Sequence, residues 1–304
     1  MAHHLREYGY GVTVRGTTPS TLLTSLRETG AYDAVIGTTR AGAIAGTLVR
    51  LVHRVPLIVD HIDPISQFRR THPDWLATLV ETAENIAFTQ SSATMFVYEE
   101  EQSRVEARAP VALKTYLGVD YDRFADPGAD VLAVGRDLLP SDVEPPVAVY
   151  VGGLEPLYNV ETMLSAGTDL ETGSLVVAGA GSLADAAERT AARSETVHYL
   201  GTVPHKAVPG FLAACDVGLS LVDDPHTLKV LEYGAAGLPV VQLDGRARER
   251  FEDRVTYATA DADAVVQAIA IASERDSEQL RTYVSRFDWA DIAETYATAI
   301  EQVF

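Results

Sequence analysis

Short apolar runs separated by longer amphipathic stretches recur along the chain. The first half carries YGVTVRG, YDAVIGTT, VPLIVD, ATMFVY and VALKTYLG; the second carries VAVYVGG, GSLVVAGAG, VHYLGTV, VGLSLV and LPVVQL. Near-continuous Val, Ile and Leu are what strands buried on both faces require, and helices between them make such strands parallel. The alternation predicts an α/β chain with two doubly wound, Rossmann-like parallel sheets. The polar, Pro- and Asp-rich stretch FADPGADVLAVGRDLLPSDVEPP, residues 124–146, marks the seam. The expected domains are therefore 1–135 and 136–286, with FDWADIAETYATAIEQVF supplying a closing amphipathic helix over 287–304, Asp288 its N-cap. The opening, AHHLREYGYGVTV, reads as a helix running into a second strand. A doubly wound domain opens on a strand and a glycine-rich turn. The pattern predicts that the N-terminal sheet lacks its first strand or that the start lies upstream.

Composition narrows the class. The chain of 304 residues is 47% hydrophobic, enough for packed cores, and its longest apolar runs are too short to span a bilayer. No signal-peptide core is present at the start, which gives a cytoplasmic expectation. A single Cys215 excludes an intramolecular disulfide and a cysteine zinc cage. The net charge of −19 argues against a nucleic-acid binder and against simple docking on anionic lipid. Of 24 basic residues only Lys114, Lys206 and Lys229 are lysines. Acidic surplus with little lysine predicts adaptation to high salt, where self-repulsion is screened over about 3 Å at 1 M.

Four segments carry candidate chemistry. VAVYVGGLEPLYN reads as strand, glycine turn and helix, and Gly152 and Gly153 let a ligand approach the backbone at the strand end. SLVVAGAGSLADAAER repeats the arrangement with Gly179 and Gly181, without the third glycine of a dinucleotide fingerprint. DDPHTLKVLEYGAAGLPVV starts a helix near Thr227, with Asp224 or Thr227 as cap, and ends it at Gly237. Helix-start amides favour an anion there, and Lys229 and Glu232 share one face. The bland alternative is an exposed i,i+3 ion pair. VPLIVDHIDP places Asp60, His61 and Asp63 at a strand's carboxyl end, where such folds bind ligands and where a histidine can move protons. The alternative is a turn in which the aspartates bond backbone amides. The histidines form no metal-ligand spacing, and DAD at 261–263 reads as a helix start.

In order and spacing these segments resemble the retaining family 4 (group 1) glycosyltransferases. ALKTYLGVDYDRF looks like that family's pNGVDxxrF signature, and LKVLEYGAAGLPVV looks like KxxEYxAxGxPVV. The resemblance implies a GT-B fold, two Rossmann-like domains facing a cleft, with the last helix crossing back to the first. It implies transfer of a sugar from a nucleotide diphosphate sugar, without metal or other cofactor, to a glycan, lipid-linked or glycoprotein-precursor acceptor. Peripheral membrane association would come through the acceptor or a partner protein. By resemblance, Glu232 would bond ribose hydroxyls, Asp224 donor-sugar hydroxyls, and Lys229 with the amides from Thr227 the diphosphate. Gly152 and Gly153 would lie against the phosphates and Gly179 and Gly181 beside the nucleotide. Asp60, His61 and Asp63 would be the acceptor-side catalytic set, with His61 one place early. The family's usual GR…K pair reads Gly153 and Tyr158 here. Two further readings share the pattern, a non-catalytic binding or partner subunit and a sugar-nucleotide 2-epimerase.

Overall fold

The structure, a computed structural model, describes residues 1–28 and 30–304. It divides into two compact units, Met1–Leu117 with Trp289–Phe304, and Gly118–Asp288.

The first unit begins with helices α1 (Ala2–Glu7) and α2 (Pro19–Arg27). Then come β1 (Val35–Thr38), α3 (Thr39–His53), β2 (Leu57–His61), α4 (Ile65–Thr71), α5 (Asp74–Gln90), β3 (Ala93–Phe96), α6 (Gln102–Glu106) and β4 (Ala112–Lys114). The strands are parallel and lie in the order β1-β2-β3-β4, so every crossover steps the same way. Val59 on one face of β2 packs with Ala43, Ala87 and Phe88 from α3 and α5. Ile58 on the other packs with Leu5 and with Ile292 and Tyr296 from the last helix of the chain. The expected strand YGVTVRG does not form; residues 10–18 carry no ladder. Val12 reaches the core, but its carbonyl takes the Arg6 guanidinium at 2.8 Å, and Val14 is 71% exposed. Alternation without a neighbouring backbone to pair with leaves an extended segment rather than a strand.

The second unit runs α7 (Tyr121–Ala125), α8 (Ala129–Asp137), β5 (Val147–Gly153), α9 (Val160–Thr168), β6 (Ser174–Ala180), α10 (Ala184–Ala191) and β7 (Val197–Tyr199). It continues with α11 (Val208–Leu212), β8 (Val217–Ser220), α12 (Leu228–Ala235), β9 (Val240–Leu243), α13 (Arg248–Phe251), β10 (Thr256–Ala258), α14 (Ala262–Ser273) and α15 (Glu278–Val284). Its six parallel strands lie in the order β10-β9-β8-β5-β6-β7. The winding reverses between β5 and β8, the topological switch point where doubly wound sheets bind ligands. Asp261 starts α14 by accepting the Ala264 N–H at 3.1 Å.

The boundary falls at residues 117/118 rather than at 135. Gly210 explains why: α8 lies so close to α11 that a Cβ there would stand 2.0 Å from the Val131 carbonyl oxygen. The chain entering this unit is tied to its exit, with Val119 N–H on Phe287 O at 2.9 Å and Tyr121 N–H on the Asp288 carboxylate at 2.8 Å. α16 (Trp289–Glu301) then packs in the first unit. Cys215 is buried, its Sγ donating to Phe211 O at 3.3 Å, and burial beside Asp216 pushes the thiol up to about 12. Among the described residues no helix is long and apolar enough to cross a membrane.

Candidate functional site

The carboxyl ends of β5 and β8 gather the residues singled out in the second unit. β5 ends in Gly152 and Gly153, and β6 beside it pairs Gly179 with Gly152. Gly179 sits at φ +151°, and a Cβ on it would lie 1.8 Å from Gly152 O. No side chain fits there, so the two glycine turns close on each other backbone to backbone. Glu155 braces the second turn, accepting the Ser182 N–H at 3.0 Å as well as the Ser182 hydroxyl. Asn159 takes a left-handed conformation at φ +52° and donates to Leu221 O at 2.8 Å, tying the turn after β5 to the end of β8.

α12 brings the charge. Its N-cap is Thr227, which makes no side-chain capping bond; Asp224 Oδ1 instead accepts the His226 N–H at 2.8 Å. Gly237 at φ +81° follows the helix in the left-handed conformation expected of it. Lys229 reaches back over the end of β5. Its Nζ stands 4.3 Å from the Tyr158 ring centroid and 5.2 Å from that of Tyr150. A Cβ on Gly152 would lie 2.7 Å from Lys229 Cε, so the glycine is what lets the lysine lie across the strand end. Burial lowers the Lys229 pKa against the raising pull of Glu232 and Asp224. Burial raises Glu232, tempered by Lys229 and by Arg123. The pair is therefore not the exposed ion pair of the bland alternative: both groups are half-buried, and the ammonium rests on ring faces. Next in sequence, Tyr233 is fully buried, and its hydroxyl accepts the Val151 N–H at 3.0 Å, pinning α12 to β5.

In the first unit the strand end VDHIDP parts its residues. Asp60 and His61 project to opposite faces of β2, as consecutive strand residues must. Asp60 is buried; its Oδ2 accepts the Tyr296 hydroxyl at 2.8 Å and its Oδ1 has no hydrogen-bond partner among the described residues. Burial raises its pKa to about 6, partly opposed by Tyr296 and His61. His61 is buried against Phe88, with Nε2 3.0 Å from Glu101 Oε2 and Nδ1 4.0 Å from Glu84 Oε1. Asp63 is half exposed, its carboxylate 3.9 Å from Arg40.

Around His61 lies an ionic network that the sequence reading missed. Arg104 bonds Glu84 at 2.8 Å and Glu101 at 2.7 Å, and stacks over Phe88. Arg40 Nε lies 2.9 Å from Glu84 Oε1, as an ion pair whose N–H is not aligned on the oxygen. Arg40 also donates to the carbonyls of Asp63 and Pro64 at 3.0 and 2.6 Å, and Glu101 accepts the Ile65 N–H at 2.9 Å. Burial raises Glu101, but His61, Ile65 and Arg104 more than reverse this and hold it near 2. The network thus fixes the loop after β2 from below. Glu84 stands at 0% exposure in the middle of α5, and an acid at a core-facing helical position was the signal available in the sequence. Among the described residues no group of three or more His, Cys, Asp and Glu side chains is placed to hold a metal ion.

Residues 145–274 match the family model described as Glycosyl transferases group 1. No curated protein matches the chain by sequence. Among solved structures the chain resembles Anabaena Alr3699/HepE in complex with UDP, with a TM-score of 0.75 and 17% identity over 98% of this chain and 88% of that one. It also resembles sucrose-phosphate synthase from Thermosynechococcus elongatus, with a TM-score of 0.76 and 17% identity over 94% and 78%. A UDP-forming trehalose-phosphate synthase from Burkholderia xenovorans superposes with a TM-score of 0.71 and 12% identity, over 99% and 82%. At such identities the likeness is one of fold, and that fold is GT-B.

Proposed function

We propose that this GT-B chain, whose second unit carries a group 1 glycosyl transferase domain, is a retaining, metal-independent glycosyltransferase using a nucleotide diphosphate sugar. The observation that carries the reading is the Lys229 ammonium, held over Tyr158 at the switch point on the same helix face as Glu232. HepE is described with UDP and with UDP-glucose. On this chain a nucleoside diphosphate would lay its phosphates against Gly152, Gly153 and the first amides of α12. Lys229 would meet their charge and Glu232 would accept from the ribose hydroxyls. Asp224 would reach the donor sugar, with Gly179 and Gly181 beside the nucleotide. The anomeric C–O bond breaks, the acceptor oxygen bonds on the same face, and the acceptor proton passes to the departing phosphate oxygen. Lys229 and the amides would stabilise the charge that develops there. His61 and Asp60 would position the end of β2, and Asp63 would be the acceptor-side carboxylate. The acceptor would be a glycan, a lipid-linked chain or a glycoprotein precursor, and working conditions salt-rich.

The test is thermal unfolding in molar KCl with UDP-, GDP- and ADP-sugars, for the wild type and Glu232→Ala. A ligand at a hundredfold its Kd would add about 2.7 kcal/mol of stability. Absence of stabilisation by any nucleotide sugar overturns the enzyme reading. Stabilisation that persists in Glu232→Ala overturns the site.

A further inference from the structure

α3 and α5 pack side by side on one face of the first unit's sheet and turn apolar surfaces outward. On α3 these are Leu48, Leu51 and Val52, at i, i+3 and i+4. On α5 they are Trp75, 70% exposed, Leu79, 61% exposed, and Ile86, all on one helical stripe. Beside them on α5 stand Thr78, Thr82 and Thr89, whose hydroxyls fold back onto the carbonyls of Asp74, Thr78 and Asn85 at 2.9, 2.7 and 2.9 Å. The threonines therefore satisfy their polar atoms within the helix and leave methyls outward. In a chain of net charge −19, the outward face of α5 carries one charge, Asp74 in its first turn. Helices of 15 and 17 residues give a face roughly 20 Å by 24 Å, on the order of 500 Å² in projection and more over its side-chain relief. That lies within the roughly 300–600 Å² of the largest patch on a typical monomer, a patch that is often functional, and is more than half of the ~800 Å² per partner of a standard interface.

We infer that this face docks a second copy of the same chain about a two-fold axis, independently of the reading of the donor site. α3 and α5 both connect parallel strands and so run in the same direction; a two-fold axis lying in the plane of the face and running across the helices sets them antiparallel to their mates as a four-helix layer. On α5, Leu79 and Ile86 stand seven residues apart, the two-turn spacing that such packing uses. Charge favours this occupant over a lipid surface. Helices that lie on bilayers carry Lys and Arg beside the apolar face. α5 has no basic residue at all, and on α3 Arg40 and Arg50 are turned inward, onto Asp63 O and Pro64 O and onto Ser92 and Val55 O. Asp74 is confined to the first turn of α5 and Glu81 on its flank is paired with Arg69, so few acidic side chains meet across the axis.

The test is the mass of the whole chain in solution, by light scattering and sedimentation in molar KCl at tens of micromolar. The wild type is expected at twice its 32.7 kDa, and Leu51→Glu and Leu79→Glu at 32.7 kDa with unchanged circular dichroism. A monomeric wild type, or a dimer that survives both substitutions, overturns the inference. Co-flotation of the wild type with phosphatidylglycerol vesicles, lost in Leu79→Glu, also overturns it and gives the face to lipid. Should the glutamate variants fail to fold, Thr82→Cys treated with a flexible bis-maleimide decides: a cross-linked dimer supports the second copy and uncross-linked chain overturns it.

Discussion

The two units bury charge in different ways. In the first, Glu84 and Glu101 lie in the interior with Arg104 bonded to both, Arg40 against one and His61 against the other. Each ion of that network has its counter-ion inside the fold. In the second, Lys229 and Glu232 lie one turn apart, and the ammonium rests on tyrosine faces instead of a carboxylate. A closed network stabilises and orients. A desolvated cation with no bonded anion among the described residues holds its attraction for something arriving from solvent. Sheet order separates the units in the same sense. The first winds one way throughout, while the second reverses at β5 and β8, where the lysine stands.

The largest test of this contrast is Arg104→Leu. It strips the guanidinium from two buried carboxylates at once and should cost about 3–5 kcal/mol in urea unfolding. Lys229→Met should do the opposite of a structural lesion. Removing a desolvated cation leaves thermal stability equal or higher, while turnover falls by about 10²–10³. If Lys229→Met destabilises as Arg104→Leu does, the contrast is broken. Next comes pH. Folded Asp60 keeps its proton to about pH 6, whereas an unfolded aspartate releases it near 3.8. Its contribution is therefore complete below pH 3.8 and lost as pH rises through 6, a decline of roughly 3 kcal/mol. Glu101, held near 2, acts in the opposite sense, with stability lost as pH falls from about 4.5 toward 2. Denaturation series at fixed pH should show the falling limb between pH 4 and 6 in the wild type and its absence in Asp60→Asn. The smallest effect belongs to Tyr158. Tyr158→Ala should weaken nucleotide binding by about 0.5–2 kcal/mol in calorimetry, and Tyr158→Phe should restore most of it. Equal losses in both variants would assign the contact to the hydroxyl instead of the ring.

What was legible in the sequence follows from range. Continuous Val and Ile runs located the neighbourhoods of nine of the ten strands among the described residues, and Gly152, Gly179 and Gly237 marked turns because glycine alone suits those backbones. α12 was readable because Lys229, Glu232 and its terminating glycine lie within nine residues of one another. The His61 network was not. Arg40, Glu84, Glu101 and Arg104 come from three helices and the short turn before α6, and only the sheet brings them together. The false strand over residues 10–16 shows the same limit from the other side. Alternation there was real, but a strand exists by virtue of a partner, and pairing is a property of the folded chain. Residues 118–135 were placed with the wrong unit because close helix packing at Gly210 leaves no mark in local pattern.

The solitary Cys215 has a practical consequence. Its thiol is buried, hydrogen-bonded and held as the unreactive acid, so maleimide reagents should pass it by at neutral pH. Cysteines introduced at the surface can then be labelled without first deleting the native one. A fluorophore pair, one dye in each unit, could then report their separation as nucleotide sugars are added, in a chain otherwise left as it is.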